Sequence, residues 1–294
     1  MQETKVNRNY KDRLFRFLFQ EKEDLLSLYN AVNHSSYKDP GLLEITTLDD
    51  VLYLSMKNDI SFLIDSYMNL YEAQSTWNPN MPLRGLFYFS KLYSSYIEKN
   101  QLDIYSSTRL TLPTPQYLVF YNGTQTEPEM QTLSLSSSFE KQTESDHLPC
   151  LECNATILNI NYGFNSNLMT HCRKLYEYSY LISQIRAFLK KGNTLESAVD
   201  LAIKDCLQHN VLTDFLSRHR EEAKLMILSE YNEELHRKTL LREGREQGLK
   251  EGQEISAKLF QCLIQTNRME DIKKAAFDSE YRQKLFEEFH LNEQ

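Results

Sequence analysis

The chain has 294 residues, 41% of them hydrophobic, and a formal net charge of −8 from 33 Lys plus Arg against 41 Asp plus Glu. That length and apolar fraction support a sizeable core, in one large domain or two ordinary ones, and exclude global disorder. The acidic balance excludes a protein whose main task is to coat nucleic acid, because affinity for phosphate comes chiefly from Lys and Arg, although a localised basic groove is compatible with it.

The start, Met1-Gln2-Glu3-Thr4-Lys5, has no apolar run, and no later segment reaches the length of a membrane span. We therefore expect no signal peptide and no membrane association. The five cysteines are Cys150, Cys153, Cys172, Cys206 and Cys262; an odd count without an export signal points to reduced thiols in the cytoplasm. Cys150 and Cys153 form a C-x-x-C pair, half of a zinc site or a redox pair, but no second pair or His-x-x-x-His follows.

From Tyr10 to about Asn30, Leu14, Phe15, Leu18, Phe19, Leu25 and Leu26 recur near helical spacing among charged residues, which predicts an amphipathic helix or helix pair. Asp12 near its start is placed to complement the helix dipole, with an accessory catalytic acid as the alternative role. Asp39-Pro40-Gly41 ends this region, and Leu43 to Leu48 reads as a first strand. Asp49 to Leu54 is ambiguous between turn and strand. Ile60–Ile64 and Leu70–Gln74 read as a hairpin, with Asp65 and Asp50 at solvated turn or strand-end positions. Pro79 and Pro82 mark a helix entry, since proline suits a first turn with no internal donor to lose. In that helix Leu83, Leu86, Phe87, Ser90, Tyr93 and Ile97 form the stripe expected to face the sheet, with Arg84, Tyr88 and Lys91 on another face, directed either at the acids of the preceding hairpin or at water.

Gln116 to Tyr121 reads as a buried strand closed by Asn122-Gly123, residues 124 to about 154 as an irregular excursion, and Ala155 to Tyr162 as a further strand with Asn159 and Asn161 sharing a polar face. Strands between helices imply an α/β layer architecture. From about Asn165 only helices are expected: Leu168–Lys190, Leu195–Gln208 capped by Thr194, Val211–Tyr231, a charged segment from Asn232 to about Gln265, and a short amphipathic piece from Met269 to Phe289. Gly244, Gly248 and Gly252 recur every fourth residue among charged side chains. Each costs about 1 kcal/mol of helix stability relative to alanine, so this helix is expected to be weak, exposed or partner-dependent.

The chemistry concentrates in Asn58 to Arg84. Period-two alternation puts Leu70, Glu72 and Gln74 on one strand face and Asn69, Tyr71 and Ala73 on the other. A hairpin partner carrying Asp59 brings a second carboxylate beside Glu72, the arrangement a divalent cation such as Mg²⁺, Mn²⁺ or Ca²⁺ needs when it is held by one or two carboxylates plus water. Gln74 stands where a third group would order water or contact phosphate. Arg84 is either a phosphate contact or the partner of a nearby acid. Residues 1–100 hold eleven Lys plus Arg against thirteen Asp plus Glu, so the region is not basic as a whole.

An acid followed thirteen residues later by Glu-x-(Lys or a polar substitute), on adjacent strands after an amino-terminal helix, resembles the PD-(D/E)XK nuclease core. With Asn58-Asp59-Ile60-Ser61-Phe62-Leu63, Tyr71-Glu72-Ala73-Gln74-Ser75-Thr76 and Asn80-Met81-Pro82-Leu83-Arg84, the chain resembles the recombination-promoting nuclease, or putative transposase, family of bacteria. The likeness extends to Lys11-Asp12 with Phe15 and Phe19, to Pro113–Gly123, to Leu158–Tyr162 and to Gly244–Gly252. It implies an α/β fold: a restriction-endonuclease-like core (1–164) with a mixed sheet flanked by helices, then an all-helical C-terminal region, comprising an extension (165–231) and a charged, glycine-interrupted tail (232–294). It further implies a Mg²⁺-dependent DNA endonuclease linked to recombination, mobile elements or phage defence, with DNA as partner and homo-oligomers formed through the C-terminal helices. Asp59 and Glu72 carry over as metal ligands and Gln74 takes the place of the lysine. An amide supplies neither a base nor a positive charge, so a weakly active or inactive DNA- or protein-binding relative is the alternative.

Overall fold

The computed structural model describes residues 13–47, 59–140, 149–289 and 291, with backbone alone at 229–238, 240, 241 and 251. The chain divides into two compact units with the boundary between Tyr231 and Asn232.

The first unit opens with two helices, α1 (Arg13–Leu18) and α2 (Lys22–Asn33), the second ending at His34 in a left-handed conformation. Three antiparallel strands follow: β1 (Glu44–Ile45), β2 (Ile60–Ile64) and β3 (Tyr67–Gln74). The expected strand from Leu43 is thus two residues long within the described range. Asp49 to Leu54, including Asp50, lies outside the described residues, as does Asp12. Helix α3 (Met81–Lys99) then crosses over to β4 (Thr114–Tyr121), which runs parallel to β3; β6 (Asn154–Asn159) lies parallel to β4. The stretch expected to be irregular contains one more strand, β5 (Met130–Ser134), antiparallel to β6. Its pattern hides it: an edge strand has one neighbour and none of its five side chains is fully buried, with Met130 64% exposed. The six-stranded mixed sheet has the order β1-β2-β3-β4-β6-β5.

Helices cover both faces. On one, Phe62, Tyr71, Ala73, Leu118 and Phe120 pack with Leu14, Phe15 and Phe19 of α1 and its flank, with α2, and with three helices that follow the sheet. These are α4 (Ser166–His171), α5 (Arg173–Lys190) and α6 (Leu195–Gln208). The single helix expected over 168–190 is therefore broken at Cys172, whose φ of −127° is non-helical. Thr194 caps α6 as expected, its hydroxyl accepting from Ser197 N–H at 3.3 Å.

On the other face, Met68, Leu70, Tyr117, Val119, Tyr121, Ala155 and Ile157 pack against α3. The face of α3 that meets them is Met81, Gly85, Tyr88 and Leu92, a stripe at helical spacing. Leu83 and Phe87, expected to be inward, are each 42% exposed. The helix is rotated because Gly85 lets it lie close to the sheet: a Cβ there would fall 2.5 Å from Tyr117 Cε1. A bare hydrophobic count cannot register a contact made by an absent side chain.

The helical run α7 (Thr213–Gln265) covers the two helices expected from Val211 to Gln265; it is kinked at His219, whose angles are non-helical, rather than broken near Tyr231. No proline occurs after Pro149, so nothing covalent interrupts it. The second unit adds α8 (Met269–Phe277) and α9 (Ser279–Glu288), the latter capped by Asp278, and closes a small core of Leu259, Leu263, Ala275 and Leu285. Space around Gly244, Gly248 and Gly252 is open for a Cβ. No helix among the described residues is long and apolar enough to cross a membrane.

Candidate metal centre at the β2–β3 hairpin

The hairpin turns at Asp65, which has φ +48° and accepts a hydrogen bond from the Tyr37 hydroxyl. From there the register runs Ile64↔Tyr67, Phe62↔Asn69 and Ile60↔Tyr71. One step further opposes Asp59 to Glu72, so the two carboxylates share the face that meets α3. Asp59 is fixed there by the adjacent strand, since Ala73 N–H donates to its Oδ2 at 2.9 Å. Glu72 is wholly buried, whereas Asp59 is half-buried.

Arg84 comes from the first turns of α3. Its Nη2 lies 2.8 Å from Glu72 Oε2 and donates to the Tyr88 hydroxyl at 3.0 Å, with the guanidinium 5.7 Å from the centre of the Tyr88 ring. The side chain of Arg84 is 26% exposed and that of Glu72 1%. Among the described residues, Glu72 Oε1 has no hydrogen-bond donor, and neither does the buried hydroxyl of Tyr117 have a partner. A buried, half-satisfied carboxylate costs free energy unless a charge compensates it.

Burial pushes the carboxyl of Glu72 above its ordinary range, and nearby Asp59 adds to the effect, while Arg84 and the Tyr88 hydroxyl oppose it. Burial likewise raises Asp59, against the Ala73 N–H and the charges of Arg16 and Arg84. Burial raises Tyr88, and Glu72 raises it further.

Two carboxylates side by side, one with a free buried oxygen, fit a hard divalent cation that completes its shell with water. No cluster of three or more His, Cys, Asp or Glu in ligand arrangement occurs among the described residues. A closed protein cage is therefore not what these residues offer. Gln74 ends β3 on the same face as Glu72, half-buried, and its carbonyl accepts from Asn122 N–H at 2.9 Å. Cys150 and Cys153 are free thiols, the first exposed.

Three participants were not singled out for this centre in the sequence: Arg16, Gly85 and Tyr117. Tyr88 stands one turn after Arg84, a spacing that marks neighbours on one helix face. Arg16 and Tyr117 carry no such signal, because only the packing of α1 and β4 brings them near. Arg186, from α5, binds the neighbouring loops, donating to Asn122 O at 2.6 Å and to Asn161 Oδ1 at 2.7 Å. Asn159 and Asn161 do not share a strand face: β6 ends at Asn159, and the Asn161 side chain turns back to donate to Asn159 Oδ1. Comparisons of the chain with protein-family models, with curated proteins and with solved structures return no match.

Proposed function

We propose that the protein is a divalent-metal-dependent DNA endonuclease of the PD-(D/E)XK type, related to the recombination-promoting nucleases. The observation that carries this reading is the register of the antiparallel hairpin, which one step beyond its last pair, Ile60↔Tyr71, opposes Asp59 to Glu72, with one oxygen of the wholly buried Glu72 unsatisfied. An antiparallel meander, a crossover helix and a parallel strand beside the acid-bearing one support the same family. Asp59 and Glu72 would hold Mg²⁺, with Mn²⁺ or Ca²⁺ as substitutes. When bound, such an ion supplies neutralisation of charge building on the phosphate and an acidified water.

Gln74 orders water or phosphate by hydrogen bonds alone. Arg84 supplies the positive charge that Gln74 lacks, and its bidentate donors suit a phosphate. DNA associated with recombination, mobile elements or phage defence is the proposed substrate, in the cytoplasm. Self-association through the C-terminal helices belongs to the same proposal.

Purified protein incubated with supercoiled plasmid and Mg²⁺ tests the proposal beside Asp59→Asn and Glu72→Gln. Both variants are expected to lose more than the roughly 10–100-fold that removal of a supporting group costs a metal site. Equal nicking by all three proteins refutes the assignment. One observation favours a second reading, a DNA- or protein-binding relative without turnover: Glu72 already has a cationic partner in Arg84 and Gln74 brings no charge. That reading predicts DNA binding with no metal-dependent cleavage.

A further inference from the structure

We infer that Arg84 is an exchangeable counter-ion: it neutralises Glu72 while the carboxylates hold no cation, and it is released to bind a DNA phosphate when a divalent cation takes them. The inference rests on the two-carboxylate reading of the site and adds to it a second role for one residue.

The geometry is one of competition. Glu72 has no route to water, with its side chain 1% exposed, so its charge must be met from within. Arg84 Nη2 meets it at 2.8 Å, through the same carboxylate that a cation shared with Asp59 would use. A divalent ion brings twice the charge to that point, and both cannot sit against the carboxylate without repulsion at short range. Arg84 alone of the pair has somewhere to go, since its side chain is 26% exposed.

Tyr88 makes the exchange local. Its hydroxyl accepts from Nη2 at 3.0 Å and its ring lies 5.7 Å from the guanidinium carbon. Arg84 can thus leave Glu72 while its charge stays over an aromatic face on the same helix. The released fork then points its donors at solvent, beside the metal-bearing carboxylates, where a phosphate oxygen would arrive. Phosphate contact would accordingly become available in step with metal uptake.

The test uses the full chain. Mn²⁺ and Ca²⁺ binding is followed by calorimetry for the wild type, Arg84→Met and Tyr88→Phe, and binding of a fluorescein-labelled DNA duplex is followed by anisotropy with and without Ca²⁺. Loss of the competing charge should tighten cation binding roughly tenfold in Arg84→Met. The same variant should lose the Ca²⁺-dependent gain in DNA affinity, so that the two effects have opposite signs. Tyr88→Phe keeps the Arg84 charge and should tighten cation binding by a smaller factor. Should circular dichroism show Arg84→Met unfolded, Tyr88→Phe decides. Unchanged or weaker cation binding in every folded variant overturns the inference. Intact exchange with no DNA binding by any protein removes the nuclease reading and leaves the counter-ion role standing, whereas absence of cation binding throughout removes both.

Discussion

Gly85→Ala is the substitution in which helix propensity and packing disagree most clearly. An interior helical glycine replaced by alanine gains about 1 kcal/mol where the new methyl has room. Here the Cβ would stand 2.5 Å from Tyr117 Cε1, 2.6 Å from Cδ1 and 3.1 Å from Cys153 Sγ. Ordinary carbon contacts are about 3.5–4.0 Å, so helix and ring must separate by about 1 Å. The ring has no easy escape: Tyr117 is 4% exposed and packs edge-on against Phe89 at 6.1 Å. Overpacking of this kind costs about 1–3 kcal/mol, and the rigid backing places Gly85→Ala toward the upper part of that range. Subtracting the propensity gain leaves a net loss of about 1–2 kcal/mol. In a unit of this size each kcal/mol lowers Tm by about 2–4 °C. Urea unfolding followed by fluorescence of Trp77, the sole tryptophan, measures it. Pairing the substitution with Tyr117→Leu should recover part of the loss, because the obstructing ring is then gone. Stability equal to or above the wild type in Gly85→Ala would refute the close seating of α3 on β4, and with it the placement of Arg84 over Glu72.

The pH dependence of stability follows from the buried acids. Asp59 and Glu72 stand above their ordinary values of 3.8 and 4.5 in the folded protein, chiefly through burial. A raised carboxyl contributes stability that is fully present below the ordinary value and is lost as pH rises through the folded value. The cation-free protein should therefore lose stability between about pH 5 and pH 8, and Glu72→Gln should lose less of it over that interval. Thermal unfolding in EDTA checks this; equal slopes for the two proteins would contradict the burial of an ionisable Glu72. Added Mg²⁺ should raise Tm more at the higher pH, with about 2.7 kcal/mol available at a hundred times Kd. Thr194→Ala removes the hydroxyl that caps α6 and should cost about 1 kcal/mol in urea unfolding without changing cation binding.

The hairpin was legible because alternation and a short turn are local. Period two in Leu70 to Gln74 puts Glu72 and Tyr71 on opposite faces, and the structure places Glu72 toward α3 and Tyr71 in the other core. The Thr194 cap, the proline entry to α3 and the all-helical make-up of the described elements after Asn165 were legible for the same reason. The orientation of α3 was not, because a glycine contributes contact by lacking atoms. Nor was β5, whose half-wet pattern matches no buried strand. The acids of the site were readable as residue types in a spacing, but Arg16 and Tyr117 reach it only through long-range packing. Asp12 and Asp50 lie outside the described residues.

Ala73 ties these layers together by its backbone. Its methyl belongs to the core beneath α2 and α5, yet its N–H holds the carboxylate of Asp59 on the opposite face. Side-chain replacement at position 73 can therefore drift under packing constraints alone, since every residue but proline supplies the same donor. Proline there would release Asp59 without altering a single acidic group, and a one-residue insertion upstream in the strand would exchange the chemical face with the greasy one. In evolutionary terms the two carboxylates are held less by the identity of their neighbours than by the phase of the strand that carries them.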